Sequence, residues 1–207
     1  MELRFNNMYN NSDEIILASG SPRRQQYLKE MGISFIVKTA SVQEHAFEHE
    51  NPKSFVLRMA REKAGKISLK FPDSWVISGD TVVSIENKIL GKPVDEEDAI
   101  TLLMTLSGRE HNVRTAFCVA HYSYGVEIVQ SVTTKVHFTD FSESVARAYV
   151  AEGESLDKAG AYGIQGKGVF LVKSIEGSYS NVVGLPLCEL IEVLQTNNII
   201  QLDNFVS

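Results

Sequence analysis

Along most of the chain, apolar runs of four or five residues alternate with stretches whose apolar positions recur at helical spacing, the pattern of strands interleaved with helices. Ile15-Ile16-Leu17-Ala18 predicts a short buried strand, leading through Ser19-Gly20-Ser21-Pro22 into a helix over about Arg23 to Met31 that Gly32 caps. Ser34 to Lys38 predicts the next strand. A second helix starts at Asn51-Pro52, an N-cap followed by proline at the first helical position, and carries Val56, Ala60 and Ile67 on one face. Trp75-Val76-Ile77 and Val82-Val83-Ser84-Ile85 read as strands on either side of Ser78-Gly79-Asp80-Thr81, with a turn at Glu86-Asn87-Lys88. The acidic run Asp95 to Asp98 suits the N-terminus of a third helix, with Leu102, Leu103 and Leu106 as its buried stripe and Gly108 at its end. Val113 to Ala120 and Val126 to Phe138 predict a hairpin turned at Tyr124-Gly125. A fourth helix follows over about Ser142 to Glu152, then a glycine-rich loop (Asp157 to Gly168), a strand (Val169 to Ile175) and a last helix (Leu187 to Leu194). Strand–helix alternation at both ends around a hairpin predicts an α/β fold with a mixed sheet.

Composition narrows the class. The chain has 207 residues, 43% hydrophobic and 22% charged, enough for a sizeable core and against wholesale disorder. A net charge of −6 argues against a nucleic-acid partner, which calls for a basic face, but leaves room for a phosphate held by a few local cations. Cys118 and Cys188 lie far apart without metal spacing and read as reduced thiols. Residues 1–13 form a polar, asparagine-rich extension before a single domain over 14–207, and they lack the apolar core of a signal peptide. With no apolar run long enough for a membrane span, the expectation is a soluble, cytoplasmic protein with no membrane partner.

Three features carry chemistry. In Ser19-Gly20-Ser21-Pro22-Arg23-Arg24 a strand turns into a helix whose first turn holds two arginines. Free amides and the positive dipole end attract anions there, and cations in that place are unfavourable unless an anion binds. Lys63 falls on the buried stripe Val56, Ala60, Lys63, Ile67, where it either snorkels outward or reaches an anion at the edge of the core. Asp80 lies between two apolar runs, and a buried carboxylate needs a cation or hydrogen bonds; a turn or capping role is the alternative. Gly79 would let the backbone approach a ligand closely, and Lys92 could reach the same place. No GxxxxGK[ST] loop is present, Gly166-Lys167-Gly168 is an incomplete dinucleotide pattern, and His45 and His49 read as surface residues. Carboxylates (Asp80, with Glu44 a second candidate) beside several cations and an anion cradle suit metal-assisted cleavage of a phosphoanhydride.

The same residues resemble the Maf family. Leu17-Ala18-Ser19-Gly20-Ser21-Pro22-Arg23-Arg24 is similar to its opening signature, and the likeness continues through Ser41 to Glu44, Ala60 to Ala64, Gly79 to Val83, Leu90 to Pro93, Leu106 to Val113, Asp157 to Gly166 and Val183 to Pro186. The resemblance implies an inosine triphosphatase-like (Maf/Ham1) α/β fold with flanking helices, two lobes around a central cleft, and frequently a homodimer. It implies hydrolysis of a nucleoside triphosphate between its α- and β-phosphates with a divalent metal, Mg or Mn. By the match, Asp80 is the proton acceptor, Ser19, Arg24, Lys63 and Lys92 contact substrate, and Glu44 with Asp80 holds the metal. Arg23, Thr81 and Gln165 match the residues that mark members acting on dTTP and UTP. A carboxamide at 165 suits the donor and acceptor edge of those bases. Gln43 stands where many members have Asp, which leaves Glu44 and Asp80 as the carboxylates.

The leading expectation is therefore an enzyme that removes surplus or non-standard pyrimidine triphosphates. One competing expectation is a nucleotide-binding regulator of cell division or septation without significant catalysis, which has no need of the set Arg24, Glu44, Lys63, Asp80 and Lys92. Another is a 7-methyl-GTP or inosine triphosphate pyrophosphatase, against which Arg23 and Gln165 argue.

Overall fold

In the computed structural model, which describes residues 8–203, the expected alternation becomes one mixed sheet with helices on both faces. In chain order the elements are β1 (Tyr9–Asn10), β2 (Ile15–Leu17), α1 (Pro22–Glu30), β3 (Ile36–Val37), α2 (Pro52–Ser68), β4 (Trp75–Ile85), β5 (Lys88–Leu90), α3 (Glu96–Leu106), β6 (Glu110–His121), β7 (Val126–Phe138), α4 (Glu143–Val150), β8 (Val172–Glu176), α5 (Tyr179–Val183), α6 (Leu187–Thr196) and β9 (Gln201–Leu202). The sheet runs β3-β2-β4-β6-β7-β8, with β5 paired to β4. β3, β2 and β4 are parallel, whereas β4, β6, β7 and β8 are antiparallel.

Alternation along β4 and β6 sends side chains to two faces. On one face Val76, Val82, Ala116 and Cys118 pack under the apolar stripe of α2, including Val56, Met59, Ala60 and Ile67. The other face is divided. Near one end Ile77, Phe117 and Val119 pack with Leu28 of α1 and Leu190 and Leu194 of α6. At the other end Val83, Val113 and Val136 pack with Leu103 and Leu106 of α3 and Ala146 and Tyr149 of α4. These two clusters make the two lobes. Thr81 and Thr115 sit opposite one another in register between them.

Several expectations change in detail. The two predicted strands around Asp80 are one strand, β4, because β6 pairs with it without a break from Val76 to Ser84. Its other edge is interrupted: β2 covers Trp75–Ile77 and β5 covers Val83–Ile85, and the gap between them opens into a cleft. Val169 to Leu171 belong to a 3-10 turn, so the strand starts at Val172; Val169 and Phe170 are exposed, as a sheet interior would not allow. Leu102 is only half-buried beside fully buried Leu103 and Leu106. The strand after α1 shortens to Ile36–Val37. Tyr9 and Asn10 pair with Leu202 and Gln201, and the Tyr9 amide donates to the Met31 carbonyl after α1. Two-residue strands and the five-residue α5 are too short for periodicity to reveal.

Candidate active site

The interrupted edge of β4 faces a cavity of about 1080 Å3 that is lined by all nine of Ser19, Arg23, Arg24, Glu44, Lys63, Asp80, Thr81, Lys92 and Gln165. It is built from short connections around a rigid strand, the usual way a scaffold presents reactive groups. β2 delivers Ser19 and the start of α1, β4 delivers Asp80 and Thr81, α2 delivers Lys63, and the turn after β5 delivers Lys92. The loop after α4 brings Gln165 from the far side. It is fastened to the Lys92 turn by the Gly160 amide, which donates to the Gly91 carbonyl at 3.0 Å. Gly160 has φ +68°, and a Cβ there would lie 3.0 Å from Val83, so this close crossing of loop over strand requires glycine.

Asp80 points to the α2 face. Lys63, buried on the apolar stripe of α2, reaches it with Nζ 2.7 Å from Oδ1 and also lies 2.5 Å from Oε1 of Glu44. Of the two local readings of Lys63, the structure chooses the anion contact over snorkelling. Lys92, well exposed, stands 3.9 Å from Oε2 of Glu44. Burial raises the pKa of Asp80, and the charge and hydrogen bond of Lys63, with Arg24 behind them, only partly offset this. Burial acts in the same direction on half-exposed Glu44, but there the hydrogen bond and charge of Lys63, then Lys92 and Arg24, prevail and hold it low. The result is one carboxylate poised to take a proton beside another held as an anion.

Thr81 points to the opposite face and meets Arg24. The guanidinium donates from Nε to the Gly184 carbonyl (2.7 Å), from Nη1 to the Gly79 carbonyl (2.8 Å) and Ser19 Oγ (3.0 Å), and from Nη2 to Thr81 Oγ1 (3.1 Å). Four of its five N–H groups thus go to protein oxygens, and Arg24 ties β2, β4 and the segment after α5 together. The structure gives Gly79 a packing role. A Cβ there would sit 3.1 Å from the Ala116 carbonyl and 3.4 Å from Arg24 Nε, so the glycine makes room for Arg24 and the neighbouring strand. Ser21 precedes α1 without a side-chain cap, and its amide donates to Ser19 Oγ at 3.3 Å. Arg23 lies 3.8 Å from Asp157, across the cleft on the Gln165 loop.

Among the described residues no group of three or more His, Cys, Asp and Glu could hold a metal; His45 and His49 are exposed on the loop before α2. Sequence reading missed Thr115, Asn181 and Tyr162 near the cleft. Thr115 and Asn181 are buried polar residues on ordinary apolar elements, and no local pattern singles them out.

The family model described as "Maf-like protein" matches residues 14–197. A dTTP/UTP pyrophosphatase of Desulfotalea psychrophila is 51% identical over 195 residues, covering 94% of this chain and 100% of the relative. One of Syntrophomonas wolfei is 43% identical, covering 86% of this chain and 94% of the relative. In fold, the chain is similar to the Ham1 protein of Staphylococcus aureus (TM-score 0.54, 12% identity, 89% and 99% of the two chains). It is likewise similar to a HAM1 protein of Coxiella burnetii (TM-score 0.52, 15% identity, 89% and 99%). With the family match spanning most of its length, the chain belongs to the Maf family.

Proposed function

We propose that the chain is a nucleoside triphosphate pyrophosphatase that cuts dTTP and UTP to the monophosphate and pyrophosphate. The observation that carries it is the Lys63 bridge between Glu44 and Asp80 at the edge of the cleft. A scaffold or regulator that only bound nucleotide would gain nothing from desolvating a carboxylate in this way. The relatives' names favour this reading over the septation regulator and over the 7-methyl-GTP and inosine triphosphate alternatives.

In this reading Asp80 accepts the proton of the water that attacks the α-phosphorus, while the bond to the β-phosphate breaks and pyrophosphate departs. Its raised pKa suits a general base. Lys63, Lys92 and the first turn of α1, with Ser19, bind the phosphates. Arg24 has one N–H left for them and otherwise holds the cradle in shape. Two hard carboxylate oxygen donors without a third protein ligand fit Mg2+ or Mn2+, which take much of their coordination from substrate phosphates and water. Glu44 and Asp80 would hold the ion, and its chemistry there is to neutralise phosphate charge. Arg23, Thr81 and Gln165 face the nucleoside. Cytoplasmic location and a homodimer complete the proposal; no described helix is long and apolar enough to cross a membrane.

The test is a panel of triphosphates with Mg2+ or Mn2+, with pyrophosphate and orthophosphate measured separately. Pyrophosphate from dTTP and UTP, with ATP and GTP much poorer, is expected. Release of orthophosphate alone, or a preference for GTP or a methylated GTP, would overturn the reaction or the substrate assignment respectively.

A further inference from the structure

Behind Thr81 runs a line of buried polar groups that no step above uses. Thr81 Oγ1 lies 2.9 Å from Thr115 Oγ1, and Thr115 Oγ1 lies 2.9 Å from the Asn181 carbonyl. Asn181, completely buried, accepts from the Thr115 amide at 3.2 Å and donates from Nδ2 to the Val113 carbonyl (3.1 Å) and Thr134 Oγ1 (2.9 Å). Its own amide donates to Ser178 Oγ at the cap of α5. The position of Asn181 is therefore fixed by β6, β7 and α5 together.

The ends of this line dictate where its protons lie. A guanidinium can only donate and a carbonyl can only accept. Arg24 therefore donates to Thr81, and Thr115 must spend its single proton on the Asn181 carbonyl. Thr81 must then donate to Thr115, since two hydroxyl oxygens at 2.9 Å need a proton between them. No other assignment satisfies every contact. Thr81 is left with one lone pair and no proton for the cleft it lines.

We infer that Thr115 and Asn181 are positioning residues that make Thr81 an acceptor-only group, and so select a nucleobase that presents an N–H donor. A phosphate oxygen, itself an acceptor, gains nothing from such a group. The imide N3–H of uracil and thymine does. Cytosine, whose N3 is an unprotonated acceptor, meets lone pair with lone pair. The inference rests on the dTTP/UTP reading and explains how the scaffold, away from the substrate, enforces it against CTP.

The experiment compares kcat/KM for dTTP, UTP and CTP in the parent, Thr115→Val and Thr115→Ser. Valine conserves shape but cannot accept the Thr81 proton, so that hydroxyl becomes free to donate to cytosine N3. The dTTP-to-CTP ratio is expected to fall at least ~10-fold, the scale of one mispaired buried polar group, mainly through KM. Serine restores the hydroxyl and should keep the parent ratio. A kcat/KM lowered in equal proportion for all three substrates would be a packing effect and leave the ratio unmoved, whereas a changed ratio is not. Thr115→Cys, similar in size with a weakly donating thiol, gives the same reading if the valine variant does not fold. A ratio within twofold of the parent in both the Val and Cys variants, or an equal fall in Thr115→Ser, overturns the inference. A parent that releases no pyrophosphate from dTTP or UTP overturns the underlying reading instead, a result visible before any variant is made.

Discussion

The two faces of β4 meet the same cleft with opposite chemistry. Toward α2, Asp80 and Glu44 share one ammonium, and Lys92 stands exposed nearby. In the proposed function these charges exchange partners when a polyphosphate arrives. Toward α5, Thr81 joins Arg24, Thr115 and Asn181 through hydrogen bonds whose direction is set at both ends. In the proposed function, charge that follows a moving polyphosphate lies on a flexible lysine and a half-exposed glutamate, whereas discrimination between neutral bases rests on groups held by directed hydrogen bonds. Adjacent residues of one strand, Asp80 and Thr81, can be assigned these two tasks because alternation sends them to opposite faces.

The sharpest break in this comparison is on the charged face. Asp80→Asn keeps the size of the side chain but removes both base and charge, and kcat is expected to fall by ~10²–10⁴-fold. EDTA should abolish parent activity, with recovery on adding Mg2+ or Mn2+. Near-normal turnover in the variant would show that the proton goes elsewhere.

Lys63→Met comes next, with an expected loss on the order of 10²-fold in kcat/KM. It also leaves Asp80 buried beside no cation. Removing one partner of a buried pair costs about 3–5 kcal/mol, reduced here because a stranded Asp80 can take up a proton. A melting point lower by several degrees is expected. Adding Asp80→Asn should restore much of that stability without restoring activity. If the double variant melts no higher than Lys63→Met alone, the two side chains are not energetically coupled.

The charged face was the more legible one in sequence. Lysine on an apolar helical stripe and aspartate between apolar runs violate local expectation, and such violations mark functional or compensated positions. The strand before Ser19 and the caps of α1 and α2 were equally open to reading, because Pro22, Gly32 and Asn51 act through local backbone geometry. What escaped depends on distant pairing. That β4 passes unbroken through Asp80 follows from its partner β6, and Gly79 there is explained by the Ala116 carbonyl and Arg24. Thr115 and Asn181, 66 residues apart in sequence, become neighbours only when α5 is laid across the hairpin. Nothing in either local segment announces that contact.

On the neutral face, Gln165→Glu has a smaller expected effect. With N3–H taken by Thr81, a carboxamide at 165 can donate to a base carbonyl, whereas a carboxylate only accepts. dTTP and UTP turnover should fall at least ~10-fold, the cost of about 1–3 kcal/mol for an unpaired buried polar group. CTP, with an amino donor in place of that carbonyl, should lose less. Unchanged ratios among dTTP, UTP, CTP and GTP would show that Gln165 does not read the base.

The smallest effect concerns stability and sharpens the contrast between neutral and charged burial. Tyr162 lines the cleft on the Gln165 loop, and its hydroxyl lies 2.7 Å from Nε2 of buried His111. Phe138 packs edge-on against both rings. Burial, with a minor repulsion from His137, lowers the His111 pKa from 6.5 to about 4. The folded protein therefore holds this histidine neutral while the unfolded chain protonates it first, so stability is complete above pH 6.5 and is lost as pH falls from 6.5 toward 4. At pH 5 the loss from this one group is about 2 kcal/mol, or roughly 4–8 °C in melting temperature for a chain of this size. Glu44, Glu50 and Asp157, whose pKa values are held low, lose stability in the same direction at lower pH, and Asp80 opposes them. The measurement is therefore a difference: melting temperature from pH 7 to pH 5 in the parent and in His111→Gln, which can still hydrogen-bond Tyr162. The variant should start lower at pH 7 but fall less steeply, with its dTTP-to-CTP ratio intact at pH 7. Parallel melting curves would mean that His111 does not resist protonation in the folded protein.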